Sequence, residues 1–305
     1  MAFRKTLIRF LSKNEKVFII SKQVRMKLLM FFGKIIPDKL YITIQYRMRL
    51  GKKMNWSHPV LFNEKIQYSK LYYHDERLKK LVDKYEVRDY VSNTIGEKYL
   101  TLLYGVYNKI EDVPFELLPE KFVMKLTNGS SYNYICPQKT NKTKDELLFR
   151  FKKWISIDFF VLGREWAYKD VPNRIICEEY LETDEEYGLN DYKIFCFNGV
   201  PKIIQVDFSR FVNHRRNLYT PNWEFINEKV EYENDPNANI PKPQKLDEML
   251  DCAKKLSKGF PQVRVDFYEI GERLIFGEMT FYHGAGYLRF NNPSFEKQMG
   301  DYWCE

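Results

Sequence analysis

Residues 263–281, VRVDFYEIGERLIFGEMTF, constrain this chain more than any other stretch. Two runs rich in valine and aromatic residues, 263–270 and 274–281, flank Gly271, Glu272 and Arg273. That pattern predicts a β-hairpin closed by a three-residue loop with its glycine. In this register Ile270 faces Leu274, and Asp266 faces Glu278. Alternation then places Arg264, Asp266, Glu278 and Thr280 on one face and Val265, Phe267 and Met279 on the other. Two carboxylates directly opposite each other on a ladder repel. A divalent cation between them reverses the sign, and Mg²⁺ is typically held by one or two carboxylates plus substrate phosphates. An exposed polar face, with Asp266 paired to Arg264 two residues away, explains the same residues without a metal. On the hairpin alone both readings stay open.

The chain around it has 305 residues, enough for one large domain or two to three sub-domains. A hydrophobic content of 44% supports a substantial core and argues against global disorder. The formal net charge of +8 points to an anionic partner: a nucleotide, a nucleic acid, a membrane surface or an acidic polymer. Five cysteines with no C-x-x-C pair suggest neither structural zinc nor a disulfide framework, so a reducing cytoplasm is expected. No apolar run reaches the roughly 18 residues of a membrane helix, and no secretory signal is evident. The scarcely acidic start, residues 1–55, has helical periodicity at Val17, Ile20, Val24, Leu28 and Phe31. A basic amphipathic helix of this kind suits either peripheral contact with an anionic membrane or an ordinary core-facing role.

Residues 59–118 read as mostly helical. NEKIQYSKLYY has Asn63 as its expected cap, and ERLKKLVDKYEVRDYVSNTIG continues in helical spacing with Gly96 as its stop. Residues 99–106 read as a core strand. A strand at 121–126 carrying Lys125 runs into the small polar loop 127–133, then a strand at 134–136. Gly129, Ser130 and Ser131 make that loop a flap able to offer N–H groups and hydroxyls to phosphate, or a plain hairpin turn. It lacks the Walker pattern. A helix is expected at 141–157 and a strand ending in acids at 174–181. Residues 191–199 alternate and close in an Asn-Gly turn onto a partner at 200–208. Lys193 lies mid-strand on the face of Asp191 and Phe195, a position that calls for a wet or anion-binding face. Arg210, His214, Arg215 and Arg216 crowd the next loop. Residues 221–245 read as a surface excursion, 247–258 as a helix, and the tail after 281 as loop-rich.

The order of these pieces resembles the ATP-grasp superfamily, in its branch named for teichuronopeptide biosynthesis (TupA-like). The blocks NEKIQYSKL, DKYEVRDYV, IGEKYL, LPEKFVMKLTNGSSYN, REWAYKDVPNRIICEEYL, DYKIFCFNG, RVDFY and GEMTFYHGAG carry the resemblance over roughly residues 60–290. It implies an α+β ATP-grasp fold, two α+β sub-domains gripping ATP behind a helical N-terminal region. The expected divisions are 1–55, 56–120, 121–190 with the flap, and 191–305 with the metal site. By position, Lys125 and the flap would contact phosphates, while Glu178, Glu179 and Leu181 would form the adenine-side hinge. Lys193 would reach the phosphates from the second sub-domain, and Asp266, Glu278 and Thr280 would hold Mg²⁺. The family usually has Asn where Thr280 stands, so a hydroxyl or a water would take the place of an amide oxygen. Arg264, with Arg210 as a second candidate, would hold an acceptor carboxylate and then an oxyanion.

The chemistry so implied is ATP-dependent joining of a carboxylate to an amine through an acyl phosphate. The branch implies an acidic sugar or glycan as carboxylate and an amino acid or other amine as partner; the basic amphipathic start would suit work at the cytoplasmic face of the membrane. Three other readings compete: a metal-dependent glycosyltransferase or sugar-modifying enzyme, a non-catalytic binding module on the same fold, and a nucleic-acid binder. Lys125, Lys193, Asp266 and Glu278 weigh against the binding module, and no nucleic-acid motif or Lys/Arg stripe is present.

Overall fold

The computed structural model describes residues 33, 35–183, 188–209, 213–238 and 240–303. Four helices come first: α1 (Asp38–Leu50), α2 (Phe62–Tyr72), α3 (Arg77–Leu81) and α4 (Val87–Thr94). Strands β1 (Leu103–Tyr107), β2 (Phe122–Leu126) and β3 (Asn133–Cys136) precede α5 (Thr143–Trp154) and α6 (Phe159–Gly163), and β4 (Ile175–Glu179) follows. The second half contains β5 (Asp191–Phe197), β6 (Val200–Phe208), β7 (Arg215–Tyr219), β8 (Phe225–Ile226), α7 (Leu246–Leu256), β9 (Gln262–Ile270), β10 (Arg273–Thr280) and α8 (Pro293–Asp301). They form two sheets, one ordered β1-β4-β2-β3 and one ordered β10-β9-β5-β6-β7-β8. All ladders are antiparallel.

The larger sheet is a middle layer. The outer face of β5, with Ile194 and Cys196, meets α7, whose Leu246, Met249, Cys252, Ala253 and Leu256 recur at helical spacing and are buried. Fully burying Met249 or Leu256 contributes roughly 1.5–3 kcal/mol each relative to exposure. On the opposite face, Phe62 of α2 packs edge-on against Phe195 and Phe197. Helix α2 therefore covers one end of the face that carries Lys193. The smaller sheet has its own core: Phe122, Met124, Ile175 and Cys177 pack on Leu147 and Phe151 of α5. Among the described residues Cys136, Cys177, Cys196 and Cys252 are buried free thiols.

The hairpin register differs from expectation in an instructive way. The loop has two residues, because Arg273 pairs with Ile270. Such a loop alone would set Asp266 opposite Gly277. Instead a bulge between Phe276 and Glu278 shifts the ladder by one residue and restores Asp266 opposite Glu278. The Asn198-Gly199 turn has positive φ at both residues, as a two-residue hairpin loop requires.

Other elements depart from the expected pattern. Asn63 is no cap: it lies inside α2, and its amide donates to the Leu288 carbonyl (2.9 Å) and to Glu296 (2.7 Å). Glu64 does the capping, accepting from the Val60 and Leu61 N–H groups. The single helix expected after residue 75 breaks into α3 and α4, where the Asp83 side chain accepts from Tyr85 and Glu86 N–H groups. Strand β1 starts at Leu103, is only half-buried, and joins the smaller sheet beside β4, so that sheet begins before residue 121. Within the surface excursion Val230 and Ile240 are buried. The tail contains α8, announced by the Asn292 cap and Pro293 at the first position.

Candidate active site

Across the larger sheet the registers align two polar rows on one face. Glu278 on β10 stands opposite Asp266 on β9, which stands opposite Lys193 on β5, which stands opposite Gln205 on β6. One step along, Asp191, Asp207 and Arg216 align on β5, β6 and β7. Apart from half-buried Glu278, these side chains are nearly inaccessible to water. Each strand delivers them by simple alternation, with apolar neighbours turned to α7.

Buried charge survives only when paired, and here every row is. Lys193 Nζ donates to Asp191 and to Asp266 Oδ2 (3.0 Å). Arg264 donates to both Asp266 oxygens (2.6 and 2.5 Å) and, from Nη2, to Glu278 Oε1 (2.9 Å). Its Nη1 meets His283 Nδ1. Thr280 Oγ1 donates to Glu278 Oε1 at 3.0 Å. The facing acids thus hold a guanidinium between them; Asp266 pairs with Arg264 as the metal-free reading expected, but the face is buried and not exposed as that reading had it.

The two carboxylates are pushed apart in acidity. Burial drives Asp266 up to about 6 against Arg264 and Lys193, with Glu278 and Asp191 adding to the rise. For Glu278 burial is outweighed by Lys84, Arg264 and Lys193, which hold it down to about 2. Burial and the neighbouring cations Arg264, Arg216 and Lys193 keep His283 neutral, well below the ordinary range. A neutral imidazole accepting at Nδ1 orients the Arg264 guanidinium.

The smaller sheet brings Lys125 to the same region. Its Nζ donates to Glu178 Oε2 at 3.0 Å, while Arg88 Nη1 (3.1 Å) and Thr101 (2.6 Å) hold the other oxygen. These residues, with Lys84, Phe276 and Gly277, line a narrow space of about 10 Å³. That is room for about one water, so a nucleotide would need the side chains around Glu178 to rearrange. Glu179 accepts from Arg273 at 2.5 Å and ties the end of β4 to β10. The flap is anchored: Lys84 Nζ donates to the Gly129 carbonyl at 2.9 Å, and Lys84 N to Thr127 O at 2.7 Å. Gly129 has φ of 85°, and a Cβ there would meet the Phe159 ring at 2.3 Å.

Lys193, Arg264, Asp266, Glu278 and Thr280 are therefore brought together. Lys125, Glu178, Glu179 and the loop carrying Gly129, Ser130 and Ser131 lie on the facing sheet, with Leu181 just after β4. Arg210 lies outside the described residues. Lys84, Arg88, Asp207, Arg216 and His283 also belong to this region, and none was singled out as a site residue from sequence. Asp207 could have been found by extending the row across β6, whereas Arg215 and Arg216 lie in β7 and not in the loop expected for them. Lys84 and Arg88 lay in a segment read as plain helix. Among the described residues no cluster of three or more His, Cys, Asp or Glu side chains forms a metal site.

The donor set fits a polyanion bound with a divalent cation. Lys84, Lys125, Lys193 and Arg264 supply positive charge, and Asp266 and Glu278 supply opposed carboxylates with the Thr280 hydroxyl beside them. The model of the TupA-like ATPgrasp family matches residues 64–304. Among solved structures, the D-alanine–D-alanine ligase of Helicobacter pylori is 17% identical, with 78% of this chain and 67% of that one covered and a TM-score of 0.45. The corresponding ligase of Bacillus anthracis is 17% identical, with 66% and 57% covered and a TM-score of 0.39. The N5-carboxyaminoimidazole synthetase of Staphylococcus aureus, complexed with ADP, is 13% identical, with 72% and 52% covered and a TM-score of 0.42. The chain thus spans little more than half the length of two of these structures. No curated protein matches it.

Proposed function

Because the chain belongs to the TupA-like ATP-grasp family, we propose that it is an ATP-dependent carboxylate-amine ligase, joining an amino acid or amine to a uronic acid of a surface or capsular polysaccharide. The observation that carries this reading is the row Glu278–Asp266–Lys193, with Arg264 spanning its two acids. When bound, Mg-ATP supplies the γ-phosphoryl group and the charge that neutralises it in transfer. Asp266, Glu278 and Thr280 would hold the metal, and Lys125, Lys84 and Lys193 the phosphates. Arg264, kept in orientation by His283, would hold the acceptor carboxylate.

In the reaction so proposed, a carboxylate oxygen forms a bond to the γ-phosphorus and ADP leaves. The amine nitrogen then bonds to the acyl carbon, inorganic phosphate leaves, and the nitrogen gives up a proton. The test is phosphate release from Mg-ATP with panels of uronic acids and amino acids. Release is expected only when both a carboxylate and an amine are present. Transfer of a sugar from a nucleotide donor without ATP would instead establish the glycosyltransferase reading.

The same reading includes work at an anionic membrane surface. No helix among the described residues is long and apolar enough to cross a membrane. The amphipathic stripe expected within residues 1–32 lies outside the described residues. Supporting the reading, α1 turns Leu40, Ile44 and Met48 outward at four-residue spacing, each at least 41% exposed, beside exposed Lys39, Arg47 and Arg49. Deleting residues 1–35 is expected to release the protein from phosphatidylglycerol-containing vesicles in a sedimentation assay. Equal retention of the truncated and full chains would refute a part for residues 1–35 in the membrane contact.

A further inference from the structure

Helix α2 turns a polar row inward. Asn63, Gln67 and Lys70, spaced by four and then three residues, share one face of the helix and are at most 2% exposed. Polar side chains buried in this way cost stability unless each is hydrogen-bonded. All three reach the backbone of residues 285–288, more than 210 residues away. Gln67 Nε2 donates to the carbonyls of Ala285 (3.0 Å) and Gly286 (2.7 Å). Lys70 Nζ donates to the same Ala285 carbonyl (2.8 Å) and to the Gly163 carbonyl at the end of α6 (3.0 Å). Asn63 pins the exit of the turn: it donates to the Leu288 carbonyl and accepts from the Leu288 N–H at 3.1 Å.

The segment so held is one that local preference disfavours. Gly284, Ala285 and Gly286 have φ of 55°, 53° and 67°, three consecutive left-handed residues. Glycine adopts that conformation freely, but alanine meets a steric penalty there. Backbone of this kind persists where its surroundings over-determine it. Here α2 supplies that constraint, and it lies so close that a Cβ at Gly286 would overlap the Gln67 amide. His283 opens the turn. Its ring stands edge-on to Phe195 at 4.7 Å, and its Nδ1 meets Arg264 Nη1. Arg264 in turn spans Asp266 and Glu278.

We propose that Gln67 and Lys70 are positioning residues of the acceptor site: by holding the left-handed turn they fix His283 against Arg264, and so set the direction of the guanidinium. A binding group must be held within about 0.5 Å of its productive place by neighbours whose own positions are locked. Loss of the two Gln67 bonds is therefore felt at the imidazole and at Arg264 as well as in the stability of the fold. The hold of α2 on His283 follows from the hydrogen bonds alone. That the guanidinium so directed receives the acceptor carboxylate rests on the ligase reading.

The first test is nitrogen NMR of the full chain, without nucleotide, with its four histidines isotopically labelled. At about pH 8 an unconstrained imidazole is neutral and exchanges between tautomers. In the unaltered chain the His283 signal, assigned by its loss in His283→Gln, should show a single tautomer with the proton on Nε2 and Nδ1 accepting. In Gln67→Met that signal should move to the averaged shifts of an exchanging imidazole. Lys70→Met leaves Gln67 on both carbonyls and so disturbs the fold less; its signal should move the same way by a smaller amount. The second test is kinetic, with a uronic acid that gives phosphate release in the presence of an amine. Gln67→Met should raise KM for that carboxylate about tenfold and Lys70→Met about threefold, with KM for ATP unchanged in both. A His283 signal unchanged in the folded variants, whatever their melting temperatures, would make the polar row of α2 a support of the fold alone and overturn the proposal. Equal rises in KM for ATP and for the carboxylate would overturn it too. A shifted His283 signal with no carboxylate supporting phosphate release would instead sink the ligase reading and leave the hold of α2 on His283 standing.

Discussion

Asp266→Asn is expected to abolish Mg-ATP turnover while leaving the protein folded. Asp266 is buried and its carboxyl is pushed up to about 6, chiefly by burial. An acid whose folded value lies above its ordinary 3.8 favours the neutral form in the fold. The stability from that neutral form is full below 3.8 and is lost as pH rises through about 6. At pH 7 the Asp266 charge is therefore carried at a cost to stability, as is common at functional sites. A neutral amide of the same shape removes that cost and keeps one acceptor, but its –NH₂ replaces an oxygen that accepted from Arg264 or Lys193, so the melting temperature should fall by a few degrees with the protein still folded. A metal ligand is lost, however, and phosphate release with carboxylate and amine present should fall to background, at least a hundredfold. Glu278→Gln should have the same effect on turnover. Its acid is half-buried and held low by Lys84, Arg264 and Lys193. Full activity in either variant would mean that Arg264, and no metal, is the partner these acids serve.

How much of this was legible in the sequence depends on how local the determining physics is. The hairpin, the Asn-Gly turn and the mid-strand Lys193 follow from alternation and turn chemistry, and the structure places them as expected. Asp266 faces Glu278 as expected but by another route, since a two-residue loop and a bulge replace the three-residue loop. A bulge is set by side-chain packing across strands, which a pattern of alternation does not carry. Arg264 between the acids was foreseen only as a neighbour two residues away. That it also reaches Glu278 and His283 depends on a register and a 3-10 turn at His283–Gly286. Asn63 misled because a polar residue before an apolar run reads as a cap, whereas its true partners, Leu288 and Glu296, lie more than 200 residues away. Lys84 was hidden for the same reason: its partner is the flap backbone at Gly129.

Asp207→Ala is expected to destabilise the protein by about 3–5 kcal/mol, the usual cost of removing one partner of a buried ion pair. Asp207 is 2% exposed and accepts from Arg216 Nε (2.7 Å) and Nη2 (3.1 Å) and from Gln205 (3.1 Å), with His214 at 3.5 Å. Without it the Arg216 charge, 6% exposed, stays buried with no carboxylate within reach in β6. Burial opposes ionisation of Asp207, but the nearby His214 imidazole and the charge and hydrogen bonds of Arg216 outweigh it and hold the carboxyl below the usual range. A depressed acid contributes stability that is present above its ordinary 3.8 and lost as pH falls through the folded value. Urea midpoints of the unaltered chain should therefore drop steeply below about pH 4, and those of Asp207→Ala should be lower at pH 7 but flatter in acid. The double variant Asp207→Leu with Arg216→Met should recover most of the midpoint, since an apolar pair can replace a buried ionic one. Equal midpoints for Asp207→Ala and the unaltered chain would show that the second row contributes no stability. The row then would have to be explained by function alone, because Asp207 stands directly opposite Asp191, whose carboxylate receives Lys193.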